Sequence, residues 1–281
     1  MTKETVQNAI NTLEAINPSD ANAAELALAA YQAIGKVGFF VLDYPALPLT
    51  VFRTRTHETD NFFENISEIS LPPSGAVKSF ARCNVPQQPV FYCSDYRPTS
   101  YMELLQYWAE EKTGEFLHVT IGKWRFKNPL KLLIVTSPFQ EDRTTDFDKA
   151  HGFALDHNIN QMDKEMKEGA ILFNKYLFDK FRKPAKKDPL TYIITSGYCN
   201  LAYTKTRGQI DGLLYPSVPY DGKGVNLAIK PDYDFESSAD LILVARDTFK
   251  RGEKNGLPSF QQVAHHQARE VDQANKKIIW L

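Results

Sequence analysis

The order of strand-like and helix-like segments is the feature that most constrains the fold of this chain. Short apolar runs typical of β-strands, such as VFYCS at residues 90–94 and GVNLAI at 224–229, stand among helical patterns without regular alternation. A regular βαβ order would predict a doubly wound parallel sheet, whereas this mixed order favours an α+β fold. The 281 residues are 43% hydrophobic and 12% aromatic, which is ample for a globular core.

Two amphipathic helices are predicted near the N-terminus, over residues 5–16 and 22–34, with NPSD between them. Their apolar positions are too many to leave in water, and a helical hairpin of this length is marginal alone. We therefore expect both helices to pack on the rest of the chain. The economical division is an N-terminal helical extension, residues 1–45, followed by one main domain, residues 46–281.

Three later segments have less regular patterns. Residues 140–158 are polar and rich in aspartate, which indicates a loop with at most one helical turn. PLTYIITSGYCNLAY, residues 189–203, begins with strand-forming residues and then has a helical pattern. Residues 260–277 are predicted to be helical. That helix would place the adjacent His265 and His266 about 100° apart, which indicates an exposed surface and no metal site.

Composition excludes several classes of function. The formal charge of −1 argues against a general nucleic-acid binder, because phosphate-tracking surfaces usually carry a basic excess. No run is long and apolar enough to cross a bilayer, and the polar N-terminus does not resemble a signal peptide. Cys83, Cys93 and Cys199 lack metal-ligand spacing, so we expect reduced, buried thiols in a cytoplasmic protein. No glycine-rich nucleotide motif or HExxH metal motif is present.

The stretch FARCNVPQQPVFYCSDYRPTSYMELL, residues 80–105, contains three residues with ordinary individual explanations. Glu103 follows Ser100 by three positions, which is the spacing of a helix capping box. Tyr92 fits an ordinary strand aromatic, and Arg82 fits a solvated loop. Their order, a loop arginine, a strand tyrosine and a helical glutamate, gives them more weight together than singly.

This order resembles the RES domain family, which is named for its arginine, glutamate and serine. The resemblance covers about residues 50–230 and matches in sequence order. It rests on VFRTRT with ISEISLPPSG, FARCN, QQPVFYCS, SYMELL, TIGKWRF, PLTYIITSGYCNLAY, DGLLYPSV and GVNLAI. It implies an ADP-ribosyltransferase-like fold, in which a split, bent β-sheet with surrounding helices binds NAD in a cleft.

The resemblance also implies roles for five residues. Arg53 and Arg82 would hold the two phosphates of NAD, since guanidinium groups bind such oxygens bidentately. Tyr92 would form an aromatic wall for the cationic nicotinamide ring. Glu103 would stabilise the oxocarbenium-like state that forms when the nicotinamide–ribose bond breaks. Ser217 would hydrogen-bond the nicotinamide end or the ribose. Glu103, Arg82 and Ser217 form the expected catalytic set, with no metal.

Three functions remain open at this stage. The first is an NAD glycohydrolase or phosphorylase, as in RES toxins of toxin–antitoxin pairs, with a separate antitoxin protein as inhibitor. The second is a mono-ADP-ribosyltransferase, for which residues 140–158 and the basic loop KPAKKD could recognise a protein target. The third is a RES-like module that binds a nucleotide or partner without turnover. Tyr215 fits either the core or a second cleft wall, and the oligomeric state is left open.

Overall fold

The structure is a computed structural model that describes residues 1–44, 49–57, 60–111, 114–184, 188–217, 224–230 and 233–281. Its helices are α1 (Lys3–Glu14), α2 (Ala23–Ala33), α3 (Arg97–Glu111), α4 (Asp146–Asn160), α5 (Lys164–Arg182), α6 (Pro189–Lys205) and α7 (Phe235–Ser238). Its strands are β1 (Val41–Tyr44), β2 (Leu49–His57), β3 (Phe91–Ser94), β4 (Phe116–Phe126), β5 (Leu130–Ile134), β6 (Gly212–Pro216), β7 (Val225–Ile229), β8 (Ala239–Lys254), β9 (Leu257–Gln267), β10 (Glu270–Asp272) and β11 (Lys277–Ile279).

Within these residues, nine strands form one mixed sheet in the order β1-β5-β6-β7-β3-β2-β4-β8-β9. Together with the helices, this sheet confirms the predicted α+β class. The β2–β3 pairing consists of one registered pair, Phe52 with Ser94, whereas β2 and β4 pair along nine positions. The sheet therefore divides at the β2–β3 seam into two halves.

The two N-terminal helices are confirmed as α1 and α2, and they share a hydrophobic core with α5 and α6. Thr2 caps α1 by accepting a hydrogen bond from the Thr5 amide at 3.2 Å. Tyr31 of α2 is fully buried and donates its hydroxyl to the Ile194 carbonyl of α6 at 2.9 Å. A Cβ at Gly197 would lie 3.1 Å from the Ala27 side chain, so the small residue permits close packing of α2 on α6.

The segment 1–45 also contains β1, which pairs with β5 in the main sheet. Its helical part therefore ends before the sheet begins. The boundary between residues 45 and 46 stays a prediction.

The shared core makes α1 a contributor to stability. Leu13 is 1% exposed, whereas Leu26 of α2 is 38% exposed. We expect Leu13→Ala to lower the free energy of unfolding by about 2–5 kcal/mol, the usual cost of a large-to-small change in a packed core. Leu26→Ala, the matched control, should cost less than about 1 kcal/mol because its side chain is already partly in water. Urea unfolding measures the free energy of unfolding of both variants. A loss for Leu13→Ala as small as that for Leu26→Ala would mean that α1 is not part of the core.

Two segments are more helical than predicted: one was predicted to be a loop, and the other to begin as a strand. Residues 140–158 contain most of α4, so the loop prediction was wrong: Thr145 caps the helix, and Gly152, Leu155 and Ile159 bury one face at helical spacing. Polar residues on the opposite face concealed that stripe.

Residues 189–203 lie wholly in α6, where Asp188 provides the cap and Pro189 the first position. Packing against α2 and α5 overrides the strand preference of its β-branched residues.

The predicted helix over residues 260–277 is wrong, because this segment forms most of β9, then β10 and the start of β11. The β8–β9 hairpin turns through Asn255 and Gly256, whose φ values of 55° and 75° are the positive values that a type I′ turn requires. His265 and His266 therefore point to opposite faces of a strand. The Nδ1 atom of His265 lies 2.6 Å from Asp247 Oδ1.

The three cysteines are buried free thiols, as predicted. Residues 185–187 of the basic loop KPAKKD lie outside the described residues. None of the described helices combines the length and apolar character needed to span a membrane.

Candidate active site

A cavity of about 610 Å³ opens at the β2–β3 seam. Its walls come from both halves of the sheet, from α3 and α6, and from the loop that precedes β3. Four residues of the predicted site line it: Arg53, Arg82, Tyr92 and Glu103. The others that line it are Thr54, Thr56, Ala81, Cys93, Ser94, Ser100, Leu104, Trp108, Leu117, Tyr192, Tyr215 and Asn226. The volume falls within the range of small-molecule sites.

Glu103 lies inside α3, which begins at Arg97, so the capping-box explanation for this glutamate is wrong. Helix α3 is tied to β2 because the Thr54 hydroxyl donates to the Ser100 carbonyl at 2.8 Å. The Glu103 carboxylate accepts two hydrogen bonds on Oε1, each 2.6 Å long, from Ser217 Oγ and Asn226 Nδ2. Charge-assisted bonds of this length hold a carboxylate in a fixed orientation.

Ser217 contacts Glu103 and does not line the cavity. It ends the described part of the chain after β6, and its side chain is 1% exposed. Its amide donates to the Gly224 carbonyl at 2.8 Å, which joins the two ends of segment 218–223. Its expected contact with NAD stays a prediction; in this structure the Ser217 side chain supports the Glu103 carboxylate.

Asn226 was missed by the sequence analysis although it lines the cavity and bonds Glu103. Its Oδ1 accepts a hydrogen bond from Ser94 Oγ at 2.7 Å. The available signal was one polar residue in the buried strand VNLAI. A buried amide costs free energy unless it is hydrogen-bonded, so such a residue indicates a specific partner.

Arg53 is a buried cation without a carboxylate partner among the described residues. Its Nη1 donates to the Tyr92 carbonyl at 2.8 Å, and its Nε has no protein partner within the same residues. Burial lowers the pKa of the guanidinium to about 10, so it stays charged at neutral pH. A buried charge of this kind is costly, and an anionic ligand would compensate it.

Arg82 is 9% exposed and is not the solvated loop residue of the ordinary explanation. Its Nη1 and Nη2 donate to the carbonyls of Lys180 and Lys183, each at 3.1 Å, at the C-terminal end of α5. The guanidinium carbon lies 5.8 Å from the centre of the Tyr192 ring. A cation is favourable at a helix C-terminus, so Arg82 stabilises α5 while it lines the cavity.

Tyr92 joins β3 to the loop that carries Arg82. Its hydroxyl accepts from the Cys83 amide at 2.8 Å and donates to Asn84 Oδ1 at 2.9 Å. Burial raises the pKa of Tyr92 well above its usual value, so the phenol keeps its proton. This tyrosine can form a wall and fix the loop, and its hydroxyl is already satisfied. Tyr215, predicted to be either a core residue or a cavity wall, has both roles. It lines the cavity, and the centre of its ring lies 5.5 Å from that of Phe181.

The cavity thus combines two buried guanidinium groups and one fixed carboxylate between aromatic walls. This arrangement suits a ligand with a phosphate group and a centre that becomes cationic during reaction. Within the described residues, no cluster of three or more histidine, cysteine or acidic side chains could hold a metal ion.

Comparison with known proteins identifies the class to which this fold and site belong. The family model of the RES domain matches residues 50–243, more than half of the chain, and the chain therefore belongs to the RES domain family. Among solved structures, it is similar to the M. tuberculosis MbcT–MbcA toxin–antitoxin complex, with a TM-score of 0.36 and 13% sequence identity. That match covers 88% of this chain and 92% of the other. No curated protein matches the chain in sequence.

Proposed function

We propose that this protein consumes NAD by cleaving the bond between nicotinamide and ribose. The observation that carries the proposal is the convergence of buried Arg53 and Arg82 with a hydrogen-bonded Glu103 on one cavity. Membership of the RES domain family supports the same reading. The residues that meet there come from β2, the loop before β3, and α3, so their proximity is a property of the fold.

Each group has a chemical task in this reaction. Arg53 is the main group that binds the diphosphate, because its Nε lacks a protein partner among the described residues. Both Nη atoms of Arg82, in contrast, already donate to carbonyls. Tyr92 and Tyr215 provide flat walls for the nicotinamide end. Glu103 faces the ribose, where its negative charge stabilises the positive charge that develops as nicotinamide leaves. Ser217 keeps the carboxylate in place.

The acceptor that attacks the ribosyl cation is identified by the products. Purified protein is incubated with NAD, with and without phosphate, and nicotinamide, ADP-ribose and phosphorylated ADP-ribose are measured by chromatography. Phosphate-dependent release defines a phosphorylase, and release in its absence defines a glycohydrolase. Release that requires added cell protein, which then carries ADP-ribose, defines the transferase alternative. Absence of nicotinamide under every condition would contradict the proposed reaction.

An enzyme that degrades NAD harms the cell that makes it, so we also propose a toxin role with a separate antitoxin as inhibitor. Induced expression of the isolated chain should lower cellular NAD and arrest growth. Expression of Glu103→Gln at the same level should do neither, because the carboxylate that acts on the ribose is absent. Equal growth arrest by both proteins would show that toxicity does not arise from NAD cleavage.

A further inference from the structure

Both the oxygen and the nitrogen of the Asn226 side-chain amide form hydrogen bonds with described residues. Asn226 is the second residue of β7, 5% exposed, between the apolar residues Val225 and Leu227. Its Oδ1 accepts from Ser94 Oγ at 2.7 Å, and its Nδ2 donates to Glu103 Oε1 at 2.6 Å. A polar group is retained in a buried strand at a cost in stability, so both bonds indicate a specific task.

The neighbours determine which way the amide points. A carboxylate can only accept hydrogen bonds, so the nitrogen of Asn226 must face Glu103 and the oxygen must face Ser94. The backbone adds rigidity, because Asn226 is registered with Ser94 on β3 and with Tyr215 on β6. The backbone that carries the amide is therefore held between two neighbouring strands, whereas Glu103 comes from a helix.

We propose that Asn226, oriented by Ser94, is a positioning residue that holds Oε1 of Glu103 and leaves Oε2 as the oxygen that acts on the ribose. None of the described residues donates to Oε2. This proposal rests on the proposed function. It predicts that Asn226 acts through the carboxylate and that the amide contributes to turnover more than to NAD binding.

The pair can be tested without any assay of activity by exchanging its donor and acceptor. Asn226→Asp keeps the shape and the acceptor for Ser94 but places a second carboxylate oxygen against Glu103, so the melting temperature should fall. The double variant Asn226→Asp with Glu103→Gln restores one donor and one acceptor, and should recover most of that loss. Asn8→Asp, at an exposed position of α1, is the control for the added charge. Failure of the double variant to recover would overturn the proposal.

Turnover gives the second test. Asn226→Leu removes the donor at similar volume, and kcat should fall about 10- to 100-fold, as expected for a lost hydrogen bond to a charged group. The KM for NAD should change much less. In the Glu103→Gln background the same substitution should have little further effect on kcat, because the carboxylate that Asn226 positions is absent even though the glutamine can still accept its hydrogen bond. An equal fall in both backgrounds would show that Asn226 merely supports the strand and would overturn the proposal.

The two tests separate this proposal from the proposed function. If the wild-type protein releases no nicotinamide, the reaction is wrong, and the melting temperatures of the exchanged pair still decide whether Asn226 positions Glu103. If nicotinamide is released but the exchanged pair shows no recovery, the reaction stands and the role of Asn226 is rejected.

Discussion

Glu103→Gln is expected to lower the turnover of NAD by about two to four orders of magnitude, the range for loss of a key electrostatic or proton-accepting group. Glutamine keeps the length of the side chain and can still accept from Ser217 and Asn226. The negative charge proposed to stabilise the ribosyl cation is lost. Because the proposed role of this charge is on the transition state, NAD affinity should stay within a few-fold of wild type.

Single-turnover nicotinamide release gives the rate, and isothermal titration gives the affinity. Glu141→Gln is the matched control, since Glu141 is exposed and does not line the cavity. Its turnover should equal that of wild type. Near-normal turnover in Glu103→Gln would remove Glu103 from the mechanism and leave it as a structural residue between α3 and the sheet.

Arg53→Met is expected to lower kcat/KM by about 100- to 1,000-fold, the range for removing a buried charge that binds an oppositely charged partner. The same change should leave the melting temperature of the unliganded protein unchanged or higher. Burial without a carboxylate partner makes this cation costly to the free protein, as its lowered pKa shows. An apolar side chain of similar size removes this desolvation cost, which offsets the loss of the hydrogen bond to the Tyr92 carbonyl.

Arg125→Met, on β4, is the matched control because Arg125 is exposed. It should change neither kcat/KM nor the melting temperature appreciably. Calorimetry with and without NAD completes the comparison: NAD should raise the melting temperature of wild type and Arg125→Met, and have little effect on Arg53→Met. A strong fall in the stability of unliganded Arg53→Met would mean that Arg53 supports the seam more than it binds a ligand.

Local patterns explain which parts of the fold were predictable. The helices α1 and α2 have regular apolar spacing, and strands such as β3 and β7 are short apolar runs bounded by proline or glycine. The β8–β9 hairpin was missed because its two-residue turn, Asn255-Gly256, was not read as a signal. Helix α6 was partly misread because tertiary packing, and not local propensity, decides the conformation of its β-branched residues.

The candidate site was predictable only where residues follow one another in a recognisable order. Arg82, Tyr92 and Glu103 lie within one short stretch, and the resemblance drew attention to them together. Asn226 has no pattern of its own, because its meaning depends on a partner 123 residues away. The position of Ser217 behind Glu103 depends likewise on how β6 passes α3, which is a property of the assembled sheet.

The long sequence separation inside the site also has a consequence for biosynthesis. Glu103 finds its two hydrogen-bond partners 114 and 123 residues later in the chain. A ribosome that has released only the Arg82–Glu103 stretch has therefore made most of the named catalytic groups but no working centre. Contacts between residues so far apart form slowly and late. Incomplete chains should consequently be inert towards NAD, and the proposed activity should arise only once synthesis of β7 is complete.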